Sequence, residues 1–310
     1  MKKNHISNFL KQYSDDISYM DKHPNEFIGL PTGLTRLDQC LTGLRGGNII
    51  LVCGRPAMGK TAFALTVAKN IAQHFKYIKS NEAVLYFNLE LSGLVMARRL
   101  ISMSTNIPTH TLLKPSHDSD ICDEVDAAIS VLSKLPIYFE PDAYDINDIK
   151  KSVTEINKNQ KIGFIVVDDL QGIENKRVED YTDFLKELKS VARKLNVPIL
   201  VCGQLKRELE ERDCKFPMLS DIRGLDKNQG VVDEILFLYR ESYYLCNEKP
   251  QRKYNELLKN YNRRVSEWQN KCNEVEKICN VIVAKNKNGS ARIIKVYFNT
   301  NTALFSNLEE

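Results

Sequence analysis

The feature that most constrains this 310-residue chain is an eight-residue loop, bounded by glycines, between an apolar run and a helical stretch. The apolar run at 48–53 is typical of a buried parallel strand, and the spacing at 62–72 favours a helix. Strand, loop, Gly-Lys-Thr and helix in this order indicate a phosphate-binding loop. The loop consists of Gly54, Arg55, Pro56, Ala57, Met58, Gly59, Lys60 and Thr61.

Phosphate binding needs each part of this loop. Gly54 and Gly59 let the backbone bend so that successive N–H groups point into one concavity, and the helix N-terminus adds its positive dipole end. Lys60 is expected to reach the β- and γ-phosphates of a nucleotide, and the Thr61 hydroxyl to be a ligand of the Mg²⁺ that bridges them. The alternative is a glycine turn with a solvated lysine, which is disfavoured because all eight positions and both flanks fit.

Composition limits the class of protein. Hydrophobic residues make up 43% of the chain and charged residues 27%, as in globular proteins. The net charge of +4 permits a nucleic-acid partner without demanding one. No apolar run reaches the length of a membrane span and the N-terminus lacks the apolar core of a signal peptide, so we expect a cytoplasmic protein with no membrane partner. Eight cysteines without a Cys-x-x-Cys pair favour reduced thiols over a disulfide framework or a zinc site.

Two further predicted strands end in acidic side chains, Glu90 and Asp168. Because ligands bind at the carboxyl ends of strands in open α/β sheets, both are expected near the phosphate loop. Glu90 is placed to polarise the water that attacks the γ-phosphate, and Asp168 to hold Mg²⁺ through its water shell. For Glu90 the alternative is a first-turn acidic residue of the following helix. The adjacent Asp169 adds a negative charge that is tolerable where it faces water or a polar donor.

Residues 29–68 carry a specific resemblance. Their sequence, GLPTGLTRLDQCLTGLRGGNIILVCGRPAMGKTAFALTVA, is similar to the opening of the ATPase domain of DnaB-type replicative helicases, which is a RecA-like motor. Phe-Asn-Leu-Glu-Leu-Ser at 87–92 resembles the family's Phe-Ser-Leu-Glu-Met-Ser. The resemblance covers 6–310 and implies an α/β fold with a RecA-like P-loop NTPase core, its mostly parallel central sheet flanked by helices. It implies an ATPase domain at 27–310 after a short N-terminal linker helix or arm at 1–26, without the family's N-terminal primase-binding domain.

The same resemblance assigns roles to single residues. It implies ATP as the nucleotide, Glu90 as the residue that activates water and Gln204 as the sensor of the γ-phosphate, with a capping glutamine as the alternative. Lys285 and Lys287 correspond to family positions that act on the ATP site of the next subunit. The family has an arginine where Lys287 stands. Lysine keeps the charge but loses the planar fork that fits a phosphoryl group, so slower hydrolysis is expected unless Arg292 substitutes.

The segment 206–228 is polar, rich in turns and basic in patches. In the family this loop lines the central channel of a hexameric ring and grips single-stranded DNA through backbone N–H groups and an arginine. Ser-Asp-Ile-Arg, ending at Arg223, matches the family, whereas residues 224–226 and 229–231 depart from it. The resemblance therefore implies DNA contacts by Lys206, Arg207 and Arg223, and the alternative is a basic solvated loop.

Two amphipathic helices are predicted outside the ATP site. The first spans 6–20 and is expected to bury its apolar stripe either on its own domain or on a neighbouring subunit. The second lies in a charged helical insertion at about 247–279, where apolar residues recur at heptad spacing. Packing on its own domain is slightly preferred for the second helix over a coiled-coil or partner-docking arm. Its stripe consists of Leu258, Tyr261, Val265, Trp268, Cys272, Val275 and Cys279.

Together these features predict an ATP-dependent DNA helicase motor of the DnaB type. We expect a homo-oligomer in the form of a hexameric ring, with ATP sites at subunit interfaces, that couples ATP hydrolysis to translocation on single-stranded DNA and duplex unwinding. A helicase loader or a primase is the expected protein partner. Two alternatives stay open, namely a RecA-group, ATP-switched DNA-binding protein that does not unwind, and a replication scaffold or regulator with a weakened ATPase. Unwinding of forked DNA and the rate of ATP turnover separate the three.

Overall fold

A nine-stranded sheet forms the centre of the part of the chain that the structure describes. This computed structural model describes residues 5–23, 27–114, 118–141, 143, 145–173, 181–225 and 229–309. The strands are β1 (Ile49–Gly54), β2 (Glu82–Asn88), β3 (Ile137–Glu140), β4 (Lys161–Asp168), β5 (Ile199–Gln204), β6 (Glu234–Tyr239), β7 (Ile278–Asn286), β8 (Arg292–Asn299) and β9 (Leu304–Ser306). Their order across the sheet is β3-β2-β4-β5-β1-β6-β7-β8-β9.

Helices cover both faces of this sheet. Phe63 shares one apolar cluster with Val52 of β1, whereas Leu185 and Leu188 share a second cluster with Leu51. Because side chains alternate along a strand, Leu51 and Val52 face opposite helical layers. The helices are α1 (Ile6–Lys22), α2 (Thr35–Leu41), α3 (Lys60–Tyr77), α4 (Gly93–Thr105), α5 (Ser119–Leu132), α6 (Ile146–Asn159), α7 (Thr182–Leu195), α8 (Glu241–Leu245) and α9 (Leu258–Val275).

The direction and register of the strands decide where their ends meet. Strands β3, β2, β4, β5, β1 and β6 run parallel, and β7 to β9 extend the sheet in antiparallel pairs, so the expected mostly parallel α/β sheet is confirmed. Gly54 lies opposite Gln204, and Asn88 lies opposite Asp168. The carboxyl ends of β2, β4, β5 and β1 therefore meet at one edge of the sheet, where the phosphate loop leaves β1.

The predicted charged helix is α9, and it packs on its own chain. Trp268 Nε1 donates a hydrogen bond to the carbonyl oxygen of Leu245 at 2.8 Å, and Cys272 is buried. The predicted stripe was wrong at its last position, because Cys279 lies in β7 opposite Val296 of β8. Pairing with β8, and not helical packing, buries Cys279.

The first predicted amphipathic helix is α1, and its apolar stripe faces outward. Phe9, Leu10 and Tyr13 are 58%, 60% and 65% exposed. The alternative in which the domain itself covers this stripe is therefore not what the structure shows. Among the helices of the described residues, none combines the length and apolar character that crossing a membrane requires.

Candidate nucleotide-binding site

The loop between β1 and α3 has the backbone shape that its glycines predict. Gly59 has a φ of +96°, in the left-handed region, and a Cβ at this position would lie 2.9 Å from the ring of Phe298. Conformation and space therefore both require glycine there. Helix α3 begins at Lys60, directly after this turn, so its unpaired N–H groups and positive dipole end face the loop.

A cavity of about 410 Å³ lies beside the loop, within the size range of small-molecule sites. Four residues predicted from the sequence line it together, namely Lys60, Thr61, Glu90 and Gln204. Lys60 Nζ donates to the carbonyl oxygen of Gly54 at 3.2 Å, so its ammonium group stays over the loop. Pro56, Ala57 and Gly59 of the loop also border the cavity.

Thr61 and Asp168 form the oxygen pair expected for a magnesium site. Thr61 Oγ1 donates to Asp168 Oδ1 at 3.2 Å, and the hydroxyl of Tyr86 donates to Asp168 Oδ2 at 2.8 Å. Burial raises the pKa of Asp168, and the two hydrogen bonds oppose that shift. A hydroxyl and a carboxylate oxygen this close, below a loop of N–H donors, fit Mg²⁺ bound to a nucleotide.

Asp169 is a site residue to which the sequence analysis assigned no role. Of the two environments that the sequence analysis allowed, water or a polar donor, the structure shows the second, because the side chain of Asp169 is buried beside the cavity. Its Oδ2 lies 4.0 Å from Lys60 Nζ and accepts a hydrogen bond from Gln204 Nε2 at 3.4 Å. Burial raises the pKa of Asp169 to about 6, against the lowering effect of Lys60. Asp169 therefore links the lysine of the loop to the glutamine at the end of β5.

Glu90 enters the cavity from the turn after β2. The N–H of Leu89 donates to the carbonyl oxygen of Asp168 at 2.8 Å, which ties this turn to the end of β4. Ser92 caps the following helix, since its side chain accepts a hydrogen bond from the N–H of Val95. Glu90 thus stands before the helix and is exposed to the cavity, which suits a group that must reach water.

Two members of the predicted phosphate loop point away from the cavity. Met58 is buried in the apolar core. The guanidinium of Arg55 turns toward the chain after β5, where it contacts the carbonyl oxygen of Leu205 and the carboxylate of Glu210. Their backbones still belong to the loop, but their side chains do not line the cavity.

Another missed residue, Arg240, supports the loop from outside. Its Nη1 donates to the carbonyl oxygen of Ala57 at 3.0 Å, and its guanidinium lies 5.1 Å from the ring centre of Phe298. Phe298 in turn borders the cavity. The sequence analysis assigned Arg240 no role, and in the structure this residue directly follows β6.

Lys285 and Lys287 lie outside this cavity. Lys285 Nζ donates to the carbonyl oxygen of Val232 at 2.7 Å. Lys287 Nζ donates to Asp233 Oδ1 at 2.7 Å and to the carbonyl oxygen of Gly230 at 3.2 Å. Because β7 runs antiparallel to β6, these lysines stand at the sheet edge opposite the phosphate loop. The chain's own cavity therefore does not contain them.

The basic loop, residues 206–225 in the described part of the chain, begins at the cavity. The N–H of Arg223 donates to the carbonyl oxygen of Gln204 at 3.1 Å, and the N–H of Lys206 donates to that of Asp221 at 2.7 Å. Arg207 and Arg223 are exposed. Residues 226–228, which include Asp226 of the first stretch that departs from the family, lie outside the described residues.

The fold and the cavity together define a phosphate-loop, nucleotide-binding α/β protein. The chain matches the family model of the DnaB-like helicase C-terminal domain over residues 29–307, and it belongs to that family. The resemblance inferred from the sequence is thereby confirmed.

Similar proteins agree with this assignment. The replicative DNA helicase DnaB of Rickettsia prowazekii (strain Madrid E) is 31% identical over 300 residues, covering 93% of this chain and 60% of the relative. The chain thus spans about three fifths of that relative's length. Among solved structures, an ATPase domain has a TM-score of 0.81 and 27% identity, covering 99% of this chain and 100% of that one. A DnaB-like replicative helicase described with its interactions with primase has a TM-score of 0.78 and 27% identity, over 99% and 68% of the two chains. The central sheet and its helices are therefore a RecA-like ATPase fold.

Proposed function

We propose that this chain is the ATP-hydrolysing motor of a DnaB-type helicase, which couples hydrolysis to translocation on single-stranded DNA and to duplex unwinding. The observation that carries this proposal is the convergence of Lys60, Thr61, Glu90 and Gln204 on one cavity, with Asp168 bonded to Thr61 below it. A phosphate loop alone occurs in many nucleotide-binding proteins. A strand-end glutamate, and a glutamine that opens a basic loop, add what a DNA-responsive ATPase needs.

Each residue in or beside the cavity has its own role in the proposed hydrolysis of ATP. Lys60 and the N–H groups of the loop would bind the phosphates of ATP. Thr61 and Asp168 would hold Mg²⁺, which would neutralise part of the negative charge of the ATP phosphates. Glu90 would orient the attacking water and accept its proton. Gln204, hydrogen-bonded to Asp169, would respond to the presence of the γ-phosphate and pass that response to the basic loop.

The positions of Lys285 and Lys287 support an assembly with shared sites. Both lie at the far edge of the sheet from their own cavity, so any action on ATP would be on a neighbour's site. The exposed apolar stripe of α1 adds a surface that a second copy of the chain would cover. We infer a homo-oligomer, in the form of a hexameric ring, with ATP between adjacent subunits.

The basic loop supports the proposed contact with DNA. Arg207 and Arg223 are exposed, and the loop is anchored to Gln204 by a backbone hydrogen bond. Lys206, Arg207 and Arg223 would bind the phosphates of a single strand without reading its sequence. A primase or a helicase loader is the class of protein partner that we propose, since one structural relative is described with primase.

The proposal is tested by ATP turnover with and without single-stranded DNA, together with unwinding of a forked duplex. Lys60→Ala and Glu90→Gln are expected to lower turnover by about 100-fold or more, because phosphate binding and water activation fail. Lys76→Ala is the matched control, since Lys76 is exposed at the other end of α3. The proposal is contradicted if single-stranded DNA does not change the rate of ATP turnover, or if Glu90→Gln keeps the wild-type rate. DNA-stimulated turnover without unwinding favours a RecA-group DNA-binding protein.

One observation favours a second candidate, a replication scaffold or regulator with a weakened ATPase. Lys287, which stands where the family has an arginine, is ion-paired with Asp233 in the single chain. A lysine held by a carboxylate has less freedom to stabilise a phosphoryl group. Turnover near background in an assembled oligomer, together with binding to a primase, would favour this candidate.

A further inference from the structure

The phosphate loop is joined to the basic loop by an ion pair that lies outside the cavity. Arg55 Nε donates to Glu210 Oε1 at 2.7 Å, and Arg55 Nη1 donates to the carbonyl oxygen of Leu205 at 2.9 Å. The side chains of Arg55 and Glu210 are 13% and 35% exposed. Because the guanidinium of Arg55 is planar and binds two acceptors, it fixes the positions of both acceptors relative to the backbone of the phosphate loop.

Glu210 is itself held from other directions. The hydroxyl of Tyr244 donates to Glu210 Oε1 at 3.4 Å, and Lys215 Nζ donates to the carbonyl oxygen of Glu210 at 2.7 Å. Burial raises the pKa of Tyr244, and the charge of Glu210 adds to this shift, so the phenol stays a donor. Glu210 stands on the 3-10 helix Arg207–Glu211, whose Leu209 is buried. A displacement of Glu210 would therefore move this part of the basic loop as a unit.

Two connections thus run from the phosphate loop to the basic loop. One passes through the cavity, from Lys60 to Asp169 and Gln204, along the wall where a bound nucleotide would lie. The other passes from Arg55 to Glu210, whose side chains do not line the cavity. We propose that Glu210 is a positioning residue that, through Arg55, transmits the state of the phosphate loop to the basic loop, so that nucleotide and single-stranded DNA strengthen each other's binding. This inference rests on the proposed function.

The test measures the coupling between the two ligands. The dissociation constant of a fluorescent oligo(dT) is determined with and without a non-hydrolysable ATP analogue and Mg²⁺, and the ratio of the two constants is the coupling factor. Coupling between sites is typically 5- to 150-fold, and it is reciprocal. Glu210→Gln is expected to lower this factor by about fivefold or more, and Tyr244→Phe to lower it less. Glu208→Gln, an exposed position on the same 3-10 helix, is expected to keep the wild-type factor.

The ratio distinguishes positioning from a merely structural role. A general loss of stability lowers the melting temperature and both affinities together, and leaves their ratio unchanged. A wild-type coupling factor in Glu210→Gln overturns the inference while leaving the proposed function intact. A wild-type protein that binds DNA equally with and without the analogue overturns both. A reduced factor in Glu210→Gln with an unchanged melting temperature supports the inference.

Discussion

Tyr86 donates a hydrogen bond from its buried hydroxyl to Oδ2 of Asp168 at 2.8 Å, across the neighbouring strands β2 and β4. The other oxygen of the carboxylate accepts a hydrogen bond from Thr61 Oγ1 at 3.2 Å. Burial raises the pKa of Asp168, and the bonds from Tyr86 and Thr61 lower it. The phenol therefore helps to keep the carboxylate ionised and aimed at the hydroxyl with which it would share Mg²⁺.

Tyr86→Phe should weaken the binding of a Mg²⁺–ATP analogue by about tenfold, since a hydrogen bond to a charged group contributes roughly 1.5–3 kcal/mol. Loss of the bond raises the pKa of Asp168 further, so the loss of affinity for the analogue in this variant should be larger at pH 6 than at pH 8. Calorimetric titration at both pH values measures this. Tyr138→Phe, at an exposed tyrosine of β3, is the control. Equal affinities of Tyr86→Phe and wild type at both pH values would rule out this role for Tyr86.

A second prediction concerns Glu234, which is completely buried at the start of β6. Its Oε1 accepts a hydrogen bond from Asn48 Nδ2 at 3.2 Å, whereas its Oε2 has no hydrogen-bond partner among the described residues. Burial raises the pKa of Glu234 from 4.5 to about 7, with the charge of Asp233 adding to burial and the bond from Asn48 opposing it. The folded chain therefore keeps a proton that the unfolded chain releases.

The sign of the pH effect follows from that difference in bound protons. Between pH 4.5 and about 7 the unfolded state binds fewer protons at this site, so the free energy of unfolding falls as the pH rises and then stays low. Glu234→Gln lacks this dependence. Its free energy of unfolding should therefore rise relative to that of wild type between pH 5 and pH 8, by at most about 3 kcal/mol. Thermal unfolding at the two pH values measures the gain. Glu155→Gln, at an exposed position of α6, is the control, and a constant difference between Glu234→Gln and wild type would refute the prediction.

The outward stripe of α1 leads to a third prediction. Phe9→Glu combined with Tyr13→Glu should weaken self-association by about 100-fold or more, because burying each large apolar side chain contributes roughly 1.5–3 kcal/mol. Sedimentation over a range of protein concentrations, with nucleotide present, measures the effect. Lys11→Glu changes the charge of the same helix at an exposed position and should leave assembly intact. If the double variant assembles like wild type, α1 does not contribute to the subunit contact.

The parts of the site that could be predicted from the sequence are those marked by a short, continuous sequence pattern. Lys60 and Thr61 belong to an eight-residue pattern, and Asp168 ends a continuous apolar run. Parallel strands bring such ends to one edge of a sheet, whatever path the connections take. The α/β class therefore followed from the same reasoning that located the phosphate loop, with the family resemblance supplying the rest.

Contacts between distant segments had no comparable signal. Tyr86 and Asp168 are 82 positions apart, and Arg55 and Glu210 are 155 positions apart, so no spacing rule links either pair. The polar donors that face Asp169 could not be identified from the sequence, because only the register of β4 and β5 places Asp169 between Lys60 and Gln204. Helical spacing likewise continued past the end of α9, where strand pairing decides the structure instead.

A fourth prediction concerns Lys287. Lys287→Arg should keep or raise the rate of DNA-stimulated ATP turnover, by up to about tenfold, because arginine offers a planar fork to a phosphoryl group and can still donate to Asp233. Lys287→Ala should lower that rate by about tenfold or more. Lys295→Arg, at an exposed position of β8, is the control for added guanidinium. A sharp fall in Lys287→Arg would count against action of this residue on a neighbour's nucleotide.

Mixing of variants tests whether that action crosses the subunit boundary. Lys60→Ala removes the chain's own phosphate-binding lysine, and Lys287→Ala removes the group proposed to act on the neighbour. In a mixed oligomer, the cavity of a Lys287→Ala subunit can face Lys287 of a Lys60→Ala subunit, so that one complete site forms from two defective chains. Turnover by the mixture should therefore exceed the sum of the two separate preparations. Strictly additive rates, in a preparation shown to contain mixed oligomers by co-purification of an untagged variant with a tagged one, would contradict action of Lys287 on the nucleotide of the neighbouring subunit.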